Sequence, residues 1–227
     1  MNIFLRLITL VTLSVGASVG MSVGMSVGML VGMSVGMSVG TSTGALAQTG
    51  NTATDYRLQV NVNDEAVRWQ AVEPASRAGD TLRVPAGSER VVVTFAGGQL
   101  ELNLTDIDRW DYAHVLATRW QQTAANTYTV HATVRHADNG WDNYANVFQV
   151  VAANDNSHVS NGIRELLHPH DNEQPFTRSQ RGVQARGQVR IEAADNVDGW
   201  GGSAIELTLA ELSFPVAIRW QLELTDP

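Results

Sequence analysis

The chain has 227 residues and a formal net charge of −8 at pH 7, with 23 acidic residues against 15 basic ones. This negative charge argues against binding to nucleic acid or to anionic membranes, and it is compatible with cation binding. The chain has no cysteine, which excludes disulfides, thiolate metal sites and a lipid attached to cysteine. A hydrophobic core alone must therefore stabilise the fold.

Residues 1–47 are typical of a signal peptide for export. Arg6 precedes a long apolar stretch that contains no charged residue before Asp55. Ala-Leu-Ala at residues 45–47 then supplies the small-residue pattern that signal peptidase accepts. We therefore expect cleavage before Gln48 and a periplasmic or secreted protein that leaves the membrane after cleavage.

The apolar stretch also contains a repeat. Between residues 14 and 40 the unit Ser-Val-Gly-Met recurs with small variations. Glycine at every fourth position is typical of packed membrane helices, so an uncleaved anchor is the alternative to a signal peptide. We favour the signal peptide because glycine is a poor helix former and a cleavage pattern follows the repeat.

The first half of the chain after the signal peptide is predicted to form short β-strands. Residues 48–54 are small and polar, and we expect a flexible leader there. In the N-terminal β region, residues 55–125, apolar and polar residues alternate in runs that turn residues separate. These runs cover residues 56–62, 81–84, 90–95 and 100–104. Residues 106–122 instead show a rough helical spacing, which predicts a short helix or an irregular linker.

The second half, residues 126–227, shows the same alternation. Its predicted strands cover residues 128–134, 145–151, 163–167, 189–193, 205–209 and 216–224. No strong helical pattern separates these strands, which argues against a parallel sheet. The sequence predicts an all-β fold, an antiparallel β-sandwich of immunoglobulin-like or jelly-roll-like type. Residues 126–227 would be a C-terminal β-sandwich domain, and both one body and two β subdomains fit the pattern.

The densest group of potential ligands is His-Pro-His-Asp-Asn-Glu-Gln-Pro-Phe-Thr-Arg-Ser at residues 168–179. His168 and His170 can place both rings on one side of an extended segment, and the proline between them favours that geometry. Imidazole with nearby carboxylates suits Zn or Cu. Alternatively, the loop is only a rigid turn across which Glu173 and Arg178 pair. The predicted metal ligands are His136, Asp138, His168, His170 and Glu173.

Two strand exits have similar sequences, Asp-Asn-Gly-Trp-Asp at residues 138–142 and Asp-Asn-Val-Asp-Gly-Trp at residues 195–200. In a sandwich the two exits could lie at the same end and face each other. Their carboxylates are hard ligands of the kind that Ca²⁺ prefers, although neither loop has the EF-hand order and the same residues are common in turns. The alternative calcium ligands are Asp138, Asp142, Asp195 and Asp198.

Large aromatic residues accompany the same polar loops, and they are Trp141, Tyr144 and Trp200. If they are exposed, they form a platform on which sugars stack; if they are buried, they are ordinary anchors of core and loops. Residues 48–227 contain no Gly-x-Ser-x-Gly, no phosphate-binding glycine loop and no His-Glu-x-x-His motif. We therefore expect a binding protein rather than an enzyme.

Two segments resemble motifs of an uncharacterised family of secreted bacterial β-rich proteins. They are Val-Arg-His-Ala-Asp-Asn-Gly-Trp-Asp-Asn-Tyr-Ala at residues 134–145 and the segment at residues 168–179. The resemblance covers residues 128–209 and implies no activity. It includes all five predicted metal ligands, whereas Asn143 and Asp198 stand where members of the family often have histidine. The resemblance thus implies that this chain lacks two potential ligands.

Together these patterns predict an exported, non-enzymatic binding protein. Its His/Asp/Glu loop cluster would bind a divalent metal (Zn, Cu or Ca) or a small ligand. One alternative is a carbohydrate- or protein-interaction module that uses the loop aromatics, and another is a hydrolase whose site only the fold assembles. The expected partners are a small ligand, a glycan or a protein.

Overall fold

Strands make up nearly all of the regular structure in residues 52–225, the part of the chain that the computed structural model describes. The predicted signal peptide and most of the predicted leader lie outside these residues. Within them, a single short 3-10 helix covers Leu209–Glu211, and no helix has the length and hydrophobicity to cross a membrane. The sixteen strands are β1 (Thr54–Val62), β2 (Glu65–Ala66), β3 (Gln70–Ala71), β4 (Ser76–Ala78), β5 (Thr81–Val84), β6 (Arg90–Phe95), β7 (Gly98–Asn103), β8 (His114–Ala124), β9 (Thr127–Arg135), β10 (Ala145–Ala152), β11 (His158–Glu165), β12 (Phe176–Gln184), β13 (Gln188–Asp195), β14 (Gly199–Trp200), β15 (Ala204–Thr208) and β16 (Val216–Leu224).

The strands form one antiparallel sheet that folds over at β11. One half has the order β4-β5-β1-β16-β8-β9-β12, and the other has the order β3-β6-β7-β15-β13-β10-β11. β11 pairs with β10 along most of its length, and its Ser160 also pairs with Gln184 of β12. Buried side chains from both halves form one hydrophobic core. The prediction of an all-β antiparallel sandwich is confirmed.

Alternation along β9 shows why these residues form strands. Tyr128, Val130, Ala132 and Val134 are buried, and the residues between them are only partly buried on the outer face. Burying a valine side chain contributes roughly 1.5–3 kcal/mol. A shift of register by one residue would exchange the two faces, so the alternation also determines how β9 pairs.

Strands from both predicted regions share this sheet. β1 pairs with β16 from Tyr56 opposite Leu224 to Val62 opposite Ile218, and β7 pairs with β15. The predicted boundary after residue 125 lies in the turn between β8 and β9, which pair with each other. Residues 55–125 and the described part of 126–227 therefore contribute to one core rather than to two.

The predicted helix or linker at residues 106–122 is correct only as a linker, and only in its first part. Residues 106–113 form turns, whereas β8 begins at His114. A β-bulge between Val115 and Ala117 shifts the register. The next buried residue after Val115 is therefore Thr118, three positions on, and Trp120 follows it. The extra residue of the bulge replaces a spacing of two by a spacing of three, which imitates a helix.

Four loops meet at one end of the sandwich, which we call the loop end. They cover residues 104–113, 136–144, 166–175 and 196–203, the last of which includes β14. Backbone and side-chain hydrogen bonds join neighbouring loops: the Ala137 amide donates to Trp110 O (2.8 Å), the Gly140 amide to Asp171 Oδ1 (2.8 Å), and Asn196 Nδ2 to Trp141 O (3.4 Å). The expected meeting of the two similar strand exits is confirmed.

Candidate functional site

A buried carboxylate, that of Asp138, joins two loops of the loop end. Its Oδ1 accepts hydrogen bonds from His136 Nδ1 (2.7 Å) and from the Ala145 amide (3.2 Å). Its Oδ2 accepts one from the His170 amide (2.6 Å), and the side chain has no solvent exposure. A buried carboxylate costs several kcal/mol in lost hydration unless donors surround it. These three donors therefore fix the positions of residues 136–145 and 170 relative to each other.

Charge stabilises this arrangement further. Burial favours the neutral ring of His136, but the hydrogen bond to Asp138 and its negative charge outweigh burial and raise the pKa of His136. Burial likewise disfavours the charged Asp138 carboxylate, but the hydrogen bonds from His136, His170 and Ala145 together lower the pKa of Asp138 below its ordinary value. Both shifts favour the imidazolium–carboxylate ion pair.

His170 completes the buried group and is held mainly by packing. Its ring stacks on Phe176 with centroids 3.7 Å apart and an interplanar angle of 10°. Burial, followed by the charge of Arg178, lowers the pKa of His170, so the ring is neutral at neutral pH. Among the described residues, neither ring nitrogen of His170 has a hydrogen-bond partner, and the same holds for His136 Nε2. His170 Nδ1 lies 3.7 Å from Asp138 Oδ2, which is too long for a hydrogen bond.

Two of the predicted metal ligands are exposed. The ring of His168 lies beside that of His170, with centroids 4.5 Å apart, as predicted for this segment, and His168 Nδ1 donates to Pro169 O at 2.9 Å. Glu173 is exposed and pairs with Arg178 at 3.2 Å, as the alternative interpretation of this loop expected. Within residues 52–225, no three His, Cys, Asp or Glu side chains are placed to hold one metal ion. Metal binding at this cluster stays a prediction.

The alternative calcium ligands have separate roles. Asp138 belongs to the buried network, and Asp195 Oδ1 accepts from the amides of Val197 and Asp198, which closes a turn. Asp142 and Asp198 are exposed on different loops. The geometry at Asp195 is that of an ordinary Asx turn, in which the carboxylate accepts from the backbone of its own loop. Calcium binding likewise stays a prediction.

The predicted aromatic platform lies on the surface. Trp141 is 66% exposed and Trp200 is 48% exposed. Tyr144 packs edge-on against Trp141, with ring centroids 5.7 Å apart. Leu167 and Val197 of the same loops are also exposed, so four of the seven exposed large hydrophobic residues in the described chain belong to the loop end. Such clustering is typical of a recognition surface.

A second buried network, at the base of the loop end, was not predicted from the sequence. His114 Nε2 donates to Asp106 Oδ2 at 2.9 Å, while His114 Nδ1 faces Ser203 Oγ at 3.0 Å and the Ser203 amide at 3.1 Å. Asp106 also accepts from the amides of Asp111 and Tyr112. Burial lowers the pKa of His114 although Asp106 opposes this, which agrees with a neutral ring that accepts at Nδ1.

This Ser–His–Asp set is not arranged as a catalytic triad. Ser203 and His114 are essentially inaccessible to solvent, so the hydroxyl cannot reach a substrate. Ser203 Oγ also accepts from the Asn103 amide at 2.9 Å. A catalytic serine needs access to the substrate and hydrogen-bond donors that stabilise the negative charge developing on the substrate. The set instead holds the loop of residues 104–113 to the start of β15.

Comparison with known proteins identifies a relative of the chain. A protein of Halomicrobium mukohataei with the name "Putative lipoprotein" is 32% identical to the chain over 142 residues, which cover 59% of this chain and 68% of that protein. The chain belongs to the same family. No family model matches the chain, and no solved structure matches it. The name of the relative specifies no ligand, so the role of the loop end rests on its geometry.

Proposed function

We propose that this protein is an exported, non-enzymatic binding protein that holds a neutral glycan on the aromatic surface of the loop end. One observation carries the proposal. Trp141, Tyr144 and Trp200 are partly or largely exposed on loops that hydrogen bonds hold in place.

Two observations support export. Residues 1–47 have the pattern of a signal peptide, and the Halomicrobium mukohataei relative has the name of a lipoprotein. No cysteine occurs among the 227 residues, so the mature protein would have no lipid on cysteine and would be periplasmic or secreted. Mass spectrometry of the exported protein should find Gln48 at its N-terminus.

A glycan fits the chemistry of this surface. Indole faces stack on the apolar faces of sugar rings, and nearby amides and carboxylates can bond to sugar hydroxyls. Asn196 joins the two aromatic loops because its Oδ1 accepts from the Tyr144 amide at 2.8 Å and its Nδ2 donates to Asp142 O at 3.3 Å. Binding would therefore cost little loop ordering.

The charges around the aromatic residues favour a neutral ligand. Asp142, Asp171 and Asp198 are exposed in the same loops. Arg178, on the adjacent strand, is paired with Glu173. An anionic sugar would meet repulsion from these carboxylates, whereas a neutral sugar would accept or donate hydrogen bonds without that cost.

Truncating either exposed tryptophan should weaken glycan binding. We expect Trp141→Ala and Trp200→Ala each to cost about 2 kcal/mol of binding free energy, or about 30-fold in Kd, since exposed indoles at a binding surface are typical hot spots. A glycan array identifies the ligand, and isothermal titration calorimetry measures the affinities. Val72→Ala, which truncates an exposed apolar residue outside the loop end, is the control. The proposal fails if no neutral glycan binds, or if both tryptophan variants bind like the wild type.

A divalent metal is the second candidate ligand, because both ring nitrogens of His170 and His136 Nε2 are buried without a partner in the described chain. Elemental analysis of untagged protein should then find Zn or Cu. At 100-fold excess over Kd, a bound metal stabilises by about 2.7 kcal/mol, so that chelation should lower the melting temperature by roughly 5–10 °C. His170→Gln should abolish that effect. An unchanged melting temperature with chelator and no bound metal would exclude this candidate.

A further inference from the structure

The outer face of the sheet half that contains β16, β8, β9 and β12 has a groove of about 370 Å³. Ala117 and Ala217 form its floor, because they are small residues on neighbouring strands with larger side chains around them. None of the aromatic residues of the loop end lines this groove. A site here is therefore separate from the proposed glycan surface.

The strand register places two arginines on opposite sides of this floor. Arg119 on β8 is opposite Ala217, and Arg219 on β16 is opposite Ala117. The two arginines are thus diagonal neighbours across an antiparallel pair, a relation in which side chains begin about 7–8 Å apart. Both guanidinium groups can reach one ligand above the alanines.

The remaining lining residues are mainly hydrogen-bonding groups. On β9 and β12 the register continues with His131 opposite Ser179 and with Thr133 opposite Thr177. The two threonine hydroxyls share one hydrogen bond of 2.8 Å, which leaves further hydrogen-bonding capacity on each oxygen. Polar groups thus extend from the arginines along the groove.

His131 also lines the groove. Its Nδ1 lies 2.7 Å from Ser179 Oγ, and its Nε2 is buried and has no partner in the described chain. Burial, then the charges of Arg119 and Arg181, lower the pKa of His131, so the ring is neutral at neutral pH. If the serine hydroxyl donates to Nδ1, the Nε2–H remains as a donor.

The charge of the groove differs from that of the whole chain. Arg119 and Arg219 are exposed, and within residues 52–225 neither forms a salt bridge. Asp64 is the one carboxylate among the lining residues. In a chain of net charge −8, two unpaired arginines beside a single carboxylate form a local positive site.

We propose that this groove binds a small organic anion whose oxyanion group lies between Arg119 and Arg219. Guanidinium groups bind carboxylate and phosphate oxygens in a bidentate, charge-assisted manner. The groove volume lies in the range of small-molecule sites, and the threonine hydroxyls would contact the polar remainder of the ligand. The shared chemistry of the ligand is an oxyanion, either a carboxylate or a phosphate.

The test uses protein purified after expression of the full chain, with inorganic phosphate, citrate and uncharged glucose as probes in NMR titrations. We expect phosphate or citrate to shift the signals of Arg119, His131 and Thr133, and the better probe distinguishes phosphate from carboxylate. Arg119→Gln and Arg219→Gln should each weaken binding at least about tenfold, the loss of one charge-assisted contact. Asp64→Asn, which removes the rim carboxylate, should strengthen binding.

Arg57→Gln is the matched control, since it removes the same charge from an exposed position on β1 that does not line the groove. It should leave the anion affinity unchanged, and all variants should keep the wild-type melting temperature because the substituted side chains are exposed. The proposal is overturned if neither anion shifts these signals, if glucose shifts them equally, or if Arg57→Gln weakens binding as much as Arg119→Gln. These results do not depend on glycan binding at the loop end.

Discussion

Replacing Asp138 with alanine should lower the free energy of unfolding by about 3–5 kcal/mol, the cost of removing one partner from a buried ion pair. The substitution leaves His136 Nδ1 and the amides of His170 and Ala145 without their acceptor in the interior. Since a domain is stable by only about 5–15 kcal/mol, this is a large part of the total. Urea denaturation followed by tryptophan fluorescence measures the loss.

Asp142→Ala is the matched control for this loss. Asp142 is an exposed aspartate of the same loop, and its replacement should change stability by no more than about 0.5 kcal/mol. Asp138→Asn should fall between the two, because the amide keeps one acceptor oxygen and presents a donor to the other amides. A loss for Asp138→Ala no larger than that for Asp142→Ala would show that the network does not hold the loop end.

The contribution of the pair should also depend on pH. The pKa of His136 is raised above its ordinary value of 6.5, so its contribution is complete below that value and is lost as pH rises through the higher folded-state pKa. The pKa of Asp138 is lowered below 3.8, so its contribution is present above that value and is lost as pH falls through the lower folded-state pKa. The difference between wild type and Asp138→Ala should be largest between about pH 4 and pH 6.5.

Asp106→Asn should lower the free energy of unfolding by about 3 kcal/mol. The substitution replaces one carboxylate oxygen by an amide NH₂ group, which cannot accept a hydrogen bond from the donors around it. Those donors are His114 Nε2 and the amides of Asp111 and Tyr112. Thermal melts and urea denaturation measure the effect. The exposed Asp108 is the control, and Asp108→Asn should be nearly neutral.

Ser203→Ala separates a structural role of this network from a catalytic one. The hydroxyl makes hydrogen bonds to His114 and Asn103, so its removal should cost only about 1–2 kcal/mol and leave ligand binding unchanged. An Asp106→Asn protein as stable as Asp108→Asn would show that the buried network contributes little. A hydrolytic activity that disappears in Ser203→Ala would contradict the interpretation of this network as structural.

The sandwich could be predicted because its strands follow local rules. The alternation of Val130, Ala132 and Val134 with polar residues determines both the strand and its buried face. β8 was missed because a bulge between Val115 and Ala117 breaks that period. The bulge depends on the partner strand β9, and a periodicity analysis of one segment does not contain that information.

The candidate site could be predicted only as a set of neighbouring loops. Similar strand exits indicated that residues 138–142 and 195–200 meet, and the structure agrees. The spacing of His168 and His170 could not indicate that one ring stacks on Phe176 while the other faces solvent. Side-chain direction in a loop is set by packing rather than by the local sequence.

Sequence patterns could not predict the clusters whose residues are distant in the chain and close in the fold. His114 and Ser203 are 89 residues apart in the chain, and Arg119 and Arg219 line one groove only because β8 pairs with β16. No motif of fixed spacing links such residues, since the connecting segments can vary in length without changing the contact. The register of the sheet was needed to find both clusters.

The pairing of β1 with β16 has a consequence for the order in which the sheet can form. Among residues 52–225, β1 is the first strand to be synthesised; it pairs with the nearby β5 at its start, but along most of its length its partner is the last strand, Val216–Leu224. Pairings this distant in sequence form slowly, because a long loop must close before any contact compensates for the lost entropy. The sheet half that contains β1 therefore cannot be completed until the last strand has been made. If the chain is exported as proposed, it would enter a translocation channel without this pairing, and the sandwich would be completed only after transport.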